Sequence, residues 1–311
     1  MVATGEGSRM KRIVIGLGGN ALLRRGEAPD ALVQLEHVRH AAPGLADAAN
    51  AHELVLVHGN GPQVGMLAIE SESDTALSAG YPLDALVAET QGLLGYWLQQ
   101  AIANAGLRRR IATIVTQTIV DAADPAFQNP TKFIGRVYNA DEAARLAASR
   151  GWVVAADGAN WRRVVASPAP LEVVESSIVG DLLNLGIVVV CAGGAGSPVV
   201  KTADGLHGVE AVVDKDHVAS LLALNLGADM LVLLTDVPAV VAGFGTPDAR
   251  PLGNVTVDEL SGYEFAAGSM GPKVAAACHF ASHSGQPAAI GSLDDLANVL
   301  SGAAGTHILP G

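Results

Sequence analysis

The chain has 311 residues, half of them hydrophobic, with a formal net charge of −12 at pH 7. That acidity argues against a nucleic-acid or anionic-membrane partner. Two cysteines, Cys191 and Cys278, cannot build a disulfide framework, and they read as small core fillers of a reducing, cytoplasmic protein.

Residues 1–10 lack the apolar stretch of a secretory signal and read as a flexible extension. Beyond them, short Val-, Ile- and Leu-rich runs predict strands at 12–17, 53–57, 111–117, 153–156, 187–191, 230–234, 288–290 and 306–309. Their nearly continuous apolar character suits a parallel sheet buried on both faces. Helical periodicity falls between them, at about 30–50 (interrupted by Pro43 and Gly44), 62–72, 83–105, 139–150, 174–185, 215–227, 272–284 and 292–301. The alternation predicts an α/β chain, a three-layer αβα sandwich around a mainly parallel, about eight-stranded sheet. Residues 124–171 depart from this rhythm. Their prolines, with Phe127, Phe133, Tyr138, Trp152 and Trp161, point to a small protruding subdomain or lid.

Strands of an open parallel sheet end on one edge, where ligands bind. Three predicted strands run into glycine clusters there: LGGN (17–20), HGNG (58–61) and CAGGAGSP (191–198). Such loops offer backbone N–H groups to an anion, which reconciles phosphate binding with an acidic chain. Asn20 and Asn60 fit either ligand contact or simple helix capping. The Rossmann alternative meets GxGxxA at Gly16–Ala21, but Glu36, 20 residues on, falls in a helical stretch instead of closing the second strand. No Walker A loop is present, and His279 and His283, spaced i, i+4, lack the glutamate of HExxH.

Lysine is scarce: Lys11, Lys132, Lys201, Lys215 and Lys273 against 14 arginines. Three of the five stand in punctuated contexts, NPTK (129–132), DKD (214–216) and GSMGPK (268–273). A compact, mobile ammonium suits a migrating phosphoryl group. The transfer itself asks little covalent work of a protein beyond charge neutralisation and alignment. A carboxylate such as Asp214 beside Lys215 can fix an ammonium, or can merely belong to a surface charge cluster.

Eight motifs, in order, resemble the carbamate kinases of the amino-acid kinase superfamily: LGGNALL (17–23), HGNGPQVG (58–65), QGLLGYWL (91–98), TQTIVDAADPAFQNPTK (116–132), WRRVVASPAP (161–170), GVEAVVDKD (208–216), ADMLVLLTDV (228–237) and GSMGPKVAAA (268–277). The resemblance implies reversible phosphoryl transfer between ADP and carbamoyl phosphate, giving ATP and carbamate, with Mg2+ on the nucleotide and a homodimer. It implies a lobe over residues 11–185 for the carbamoyl phosphate or carbamate side, carrying the lid at about 124–171, and a nucleotide-binding lobe over 186–311. Gly18, Gly19, Asn20, Gly59, Asn60 and Gly61 would line the small-substrate side. Lys132, Lys215 and Lys273 would contact phosphoryl oxygens, with Asp214 orienting them. Gly193, Gly194, Asp236, Val237, Ser269, Met270 and Gly271 would face the nucleotide. A kinase for another small carboxylate and a non-catalytic ligand-binding relative stand as alternatives.

The chain departs from the family's pattern at Ala195, Phe133, Arg136 and Pro238. A methyl at 195 crowds a backbone meant to approach phosphate, unless the position has no need of positive φ. Loss of two prolines at 133 and 136 puts the lid's rigidity in question, and Arg136 offers a further anion contact.

Overall fold

The computed structural model describes residues 9–19, 22–23, 27–265 and 270–311. Its centre is an eight-stranded sheet in the order Asn254–Thr256, Thr306–Leu309, Ala288–Ser292, Met230–Thr235, Arg12–Leu17, Glu53–His58, Val188–Val190, Ile111–Thr113. All neighbours pair in parallel except Ala288–Ser292 with Thr306–Leu309. Arg12–Leu17 leads on to Glu53–His58 on one side, while its other neighbour, Met230–Thr235, leads on to Ala288–Ser292 in the opposite direction. A crevice opens at the strand ends where connections diverge in this way.

Strand geometry sends successive side chains to opposite faces, and the sheet builds two separate cores from it. Val14, Val55, Val57, Val189, Leu231 and Leu233 face helices Ser176–Asn184, Lys215–Asn225 and Met270–Ser284. Ile13, Ile15, Leu54, Leu56, Val190 and Val232 face helices Ala31–Ala51, Leu83–Asn104 and Leu296–Ser301. The expected αβα sandwich is therefore the observed one. Among the described residues no helix is long and apolar enough to cross a membrane.

Several local expectations need correction. The helix foreseen as broken at Pro43 runs continuously over Ala31–Ala51, since Ala41, Ala42, Leu45 and Ala46 are buried beneath the sheet. Packing there outweighs the hydrogen bond that proline cannot donate. The single strand expected at 111–117 is two, Ile111–Thr113 and Gln117–Val120, in different sheets. Between them the buried Gln91 amide replaces a strand neighbour: Thr116 N–H donates to Gln91 Oε1 at 2.9 Å, and Gln91 Nε2 donates to the Thr116 carbonyl at 3.1 Å. Val153–Asp157 does form a strand, but outside the large sheet, whose eighth place falls to Asn254–Thr256. Ser197–Thr202 and Gly205–Gly208 pair as an antiparallel hairpin just before the DKD segment.

Within the divergent segment, Lys132–Tyr138, Asn160–Val165 and Val153–Asp157 make a separate antiparallel sheet. Helix Ala140–Arg150 accompanies it, and Tyr138, Ala143 and Trp152 form its own small core. Of the aromatics noticed in the sequence, Tyr138 and Trp152 fill this core and Trp161 packs on it, whereas Phe127 packs on the core of the large sheet and Phe133 lies beneath the Arg162 guanidinium. Of the N-terminal extension, residues 1–8 lie outside the described residues, and Arg9 forks onto Asp229 at 2.7 and 2.9 Å.

Candidate active site

The parallel register sets the loops that follow Arg12–Leu17, Glu53–His58 and Met230–Thr235 side by side. Leu17 stands opposite both His58 and Leu234, so Gly18, Gly59 and Asp236 leave the sheet at neighbouring points of one edge. Gly18 N–H donates to the Leu234 carbonyl at 3.0 Å, and Gly59 N–H to the Leu17 carbonyl at 3.1 Å. A Cβ at Gly18 would come within 2.9 Å of that Leu234 oxygen, and one at Gly59 within 3.2 Å of the Gly19 nitrogen. Glycine here allows strands and loops to close on one another. A Cβ at Gly19 or Gly61 would meet nothing within 4 Å, so these two positions border open space. Asn20 lies outside the described residues.

Into this space the chain delivers its three singled-out lysines. Asp214 is the N-cap of helix Lys215–Asn225, where one oxygen accepts from Asp216 N–H at 2.9 Å and the other from Lys132 Nζ at 2.6 Å. Asp216, in the first turn, accepts from Lys215 Nζ at 2.7 Å and from Lys273 Nζ at 2.9 Å, one ammonium per oxygen. Lys273 comes from the first turn of Met270–Ser284, whose positive helix end adds to the field. Lys215 passes close to the second glycine loop, its Cδ 3.3 Å from where a Gly59 Cβ would stand.

Three ammonium groups on two carboxylates leave a net positive centre inside an acidic protein. The Lys215 and Lys273 side chains are 13 % exposed and that of Asp216 is 4 %. Burial pushes both carboxylates up, but Lys132 and Lys215 at Asp214, and Lys215 and Lys273 at Asp216, reverse this and hold both below the ordinary range. Burial lowers Lys215, and Asp216 with Asp214 more than restores it, so its pKa is raised. Burial and the Lys215 charge lower Lys273, against the pull of Asp216. The arrangement offers fixed positive charge in a partly dry place, the condition for stabilising a transferring phosphoryl group.

Residues 11–292 match the amino acid kinase family. The chain belongs to that family. Over 301 residues it is 48 % identical to the carbamate kinase of Rhizobium meliloti (strain 1021), covering 96 % of this chain and 93 % of that one. It is 45 % identical over 313 residues to the carbamate kinase of Thermococcus kodakarensis, covering 96 % and 99 %. Its structure is similar to carbamate kinase from Giardia lamblia bound to AMP-PNP, with a TM-score of 0.89 at 38 % identity, over 97 % of this chain and 99 % of that one.

In this amino acid kinase the third glycine loop lies beside the second. Its residues Gly193 and Gly194 are buried, and added Cβ atoms would fall 2.3 Å from His58 Nε2 and 2.0 Å from Asn60 Nδ2. Asn60 holds the N-cap position of helix Gly61–Ser73 but makes no cap bond; its Nδ2 donates to Thr90 Oγ1 at 2.7 Å. The capping explanation therefore fails for Asn60, and its side chain anchors the loop from beneath. His58 is wholly buried, its pKa lowered to about 4 chiefly by burial, so it is neutral at pH 7. Ala195 adopts φ +78°, so the departure from glycine falls at a left-handed position.

On the other flank, Asp236 follows Met230–Thr235 and accepts from Thr235 Oγ1 at 3.0 Å. Val237 beside it is 36 % exposed. Met270 and Gly271 open the helix that carries Lys273, and Ser269 lies outside the described residues. Arg136 pairs with Glu142 at 2.8 Å and stacks over Tyr138, so its charge is engaged within the subdomain. The thiols are buried or half-buried and raised by desolvation, Cys191 to about 12, as core fillers should be.

Sequence reasoning missed Asp216, the acid that joins two of the lysines, and the buried polar floor of Thr90, Gln91, Thr116 and Thr118. Asp216 was visible as the second acid of DKD. Gln91 opens QGLLGYWL and Thr116 opens TQT, but a buried amide has no periodic signature.

Proposed function

We propose that this chain transfers the phosphoryl group between carbamoyl phosphate and ADP, reversibly, giving carbamate and ATP. The observation that carries the reading is the cluster of Lys132, Lys215 and Lys273 on Asp214 and Asp216, set beside open glycine loops. Its likeness over nearly the full chain to proteins named carbamate kinase supports the choice of substrate.

In this mechanism Gly18, Gly19, Asn20, Gly59, Asn60 and Gly61 receive the carbamoyl phosphate, with Asn60 acting through the loop it anchors. Gly193 and Gly194, expected at the nucleotide, pack on His58 and Asn60, so we assign them to shaping the small-substrate wall. Asp236, Val237, Ser269, Met270 and Gly271 serve the nucleotide. A terminal oxygen of the ADP β-phosphate attacks phosphorus, and the bond from phosphorus to the carbamate oxygen breaks as the new one forms. Lys132, Lys215 and Lys273 neutralise the oxygens throughout, while Asp214 and Asp216 fix their positions. Carbamate leaves as an anion, so no general base is required.

Magnesium enters as part of the nucleotide substrate. Both carboxylates of the cluster are already bonded by ammonium groups, and among the described residues no three His, Cys, Asp or Glu side chains gather as a metal site. We further assign the protein to the cytoplasm as a homodimer, following the family resemblance.

The test is ATP formation from Mg-ADP with carbamoyl phosphate, compared with acetyl phosphate at equal concentration. Strong preference for carbamoyl phosphate supports the reading. Equal use, or preference for acetyl phosphate, directs it to another small acid.

A further inference from the structure

We infer that Glu72 is a positioning residue that sets Lys132 in the active site from the far end of helix Gly61–Ser73. The inference rests on the proposed role of Lys132 in phosphoryl transfer.

The helix begins at the second glycine loop and ends beside the antiparallel subdomain, so it touches both the site and the unit that supplies Lys132. At its C-terminal turn, Glu72 receives three donors, all from that subdomain. Arg150 Nη1 donates to Oε2 at 2.5 Å, while Trp152 Nε1 and Arg163 Nη1 reach Oε1 at 3.3 and 3.4 Å. Both guanidinium groups lie over the Trp152 ring, at 5.2 and 4.7 Å from its centroid. One carboxylate thus ties the helix end of Ala140–Arg150, the residue after its cap, and the middle strand of the small sheet.

From that strand to Lys132 the path is short and stiff. Arg163 pairs in register with Ile134, and Val165 pairs with Lys132 itself. Along the same helix, Gly65 meets Gly135 backbone to backbone; a Cβ at Gly65 would fall 2.0 Å from the Gly135 Cα, and Gly135 has φ +70°. The subdomain therefore rests on the helix at two places, a glycine contact near the site and an ionic clasp about two turns away. Two points fix the tilt of the strand that starts with Lys132, where one would leave it free to pivot. Since Lys132 meets Asp214 across 82 residues of sequence, its placement depends on that tilt.

The test uses the full-length protein and Glu72→Gln, with Arg150→Ala as a milder variant. First, hydrogen exchange is followed over Lys132–Tyr138, with Arg12–Leu17 as internal reference. Faster exchange in the first strand alone is expected in both variants, and unchanged exchange there overturns the proposal whatever the substrate. Second, ATP formation is measured in a cycle with Lys132→Ala. The expected result is a loss of kcat of about tenfold for Glu72→Gln, with KM for Mg-ADP little changed, and no further loss when it is added to Lys132→Ala. Multiplicative losses in the double variant would mean that Glu72 acts on general stability and would overturn the positioning role. A wild-type protein that makes no ATP would fail the functional reading, leaving the exchange result to decide the clasp.

Discussion

Asp216 Oδ2 accepts from Lys273 Nζ at 2.9 Å, across the junction between two helices that start 55 residues apart, at Lys215 and Met270. The two helices pack side by side beneath the sheet, so the pair is buried and its alignment is inherited from the core. Replacing Asp216 by Asn removes the charge that holds both Lys215 and Lys273. Breaking a buried pair on one side costs roughly 3–5 kcal/mol. Asp216→Asn should lower stability by about that amount, and ATP formation by about a hundredfold. Chemical denaturation and steady-state rates check both.

The same carboxylates make acid stability predictable. Asp214 and Asp216 have pKa values below their ordinary 3.8, because the lysines outweigh burial. The folded protein thus binds fewer protons than the unfolded chain as the medium becomes acid. Their contribution is complete well above pH 3.8 and is lost as pH falls through that value and below. Midpoint denaturant concentrations measured from pH 6 down to about pH 3 should drop steeply at the acid end, and Asp216→Asn should flatten that limb.

His58 contributes a separate limb at higher pH. Its folded pKa of about 4 lies below the unfolded 6.5, so the unfolded chain takes the proton first. Stability should fall as pH drops from 6.5 to about 4, by up to about 3 kcal/mol, and then level off for this group. His58→Gln should remove this dependence between those values while leaving the lower carboxylate limb in place.

Two neighbouring positions in the third glycine loop should respond in opposite directions. A methyl at Gly194 would strike the Asn60 amide, so Gly194→Ala should displace the second loop and lower both stability and activity. Ala195 already carries a methyl at φ +78°, and glycine would relieve it. Relief outweighs the extra freedom that glycine gives the unfolded chain, so Ala195→Gly should gain up to about 1 kcal/mol. Thermal unfolding of the two variants distinguishes them.

What the sequence revealed and what it hid follow from the range of the interactions. The strands of the large sheet announce themselves because both faces are buried, so runs such as Ile13–Ile15 and Leu54–Val57 are apolar throughout. Lys132, Lys215 and Lys273 stood out by their scarcity and their settings, and the fold joins them through two acids. Asn254–Thr256 was missed because it is a three-residue edge strand defined only by its partner Thr306–Leu309. The break at Thr116 was hidden because its cause, the Gln91 amide, lies 25 residues away. Glu72 was equally silent, its three donors being 78 to 91 residues distant.

The most direct test of the account is ATP formation from Mg-ADP and carbamoyl phosphate by the wild-type protein and by Lys273→Ala, each shown to be folded. The account predicts robust synthesis by the wild type and a loss of at least about a hundredfold in the variant. A folded wild-type protein no more active than Lys273→Ala would contradict it.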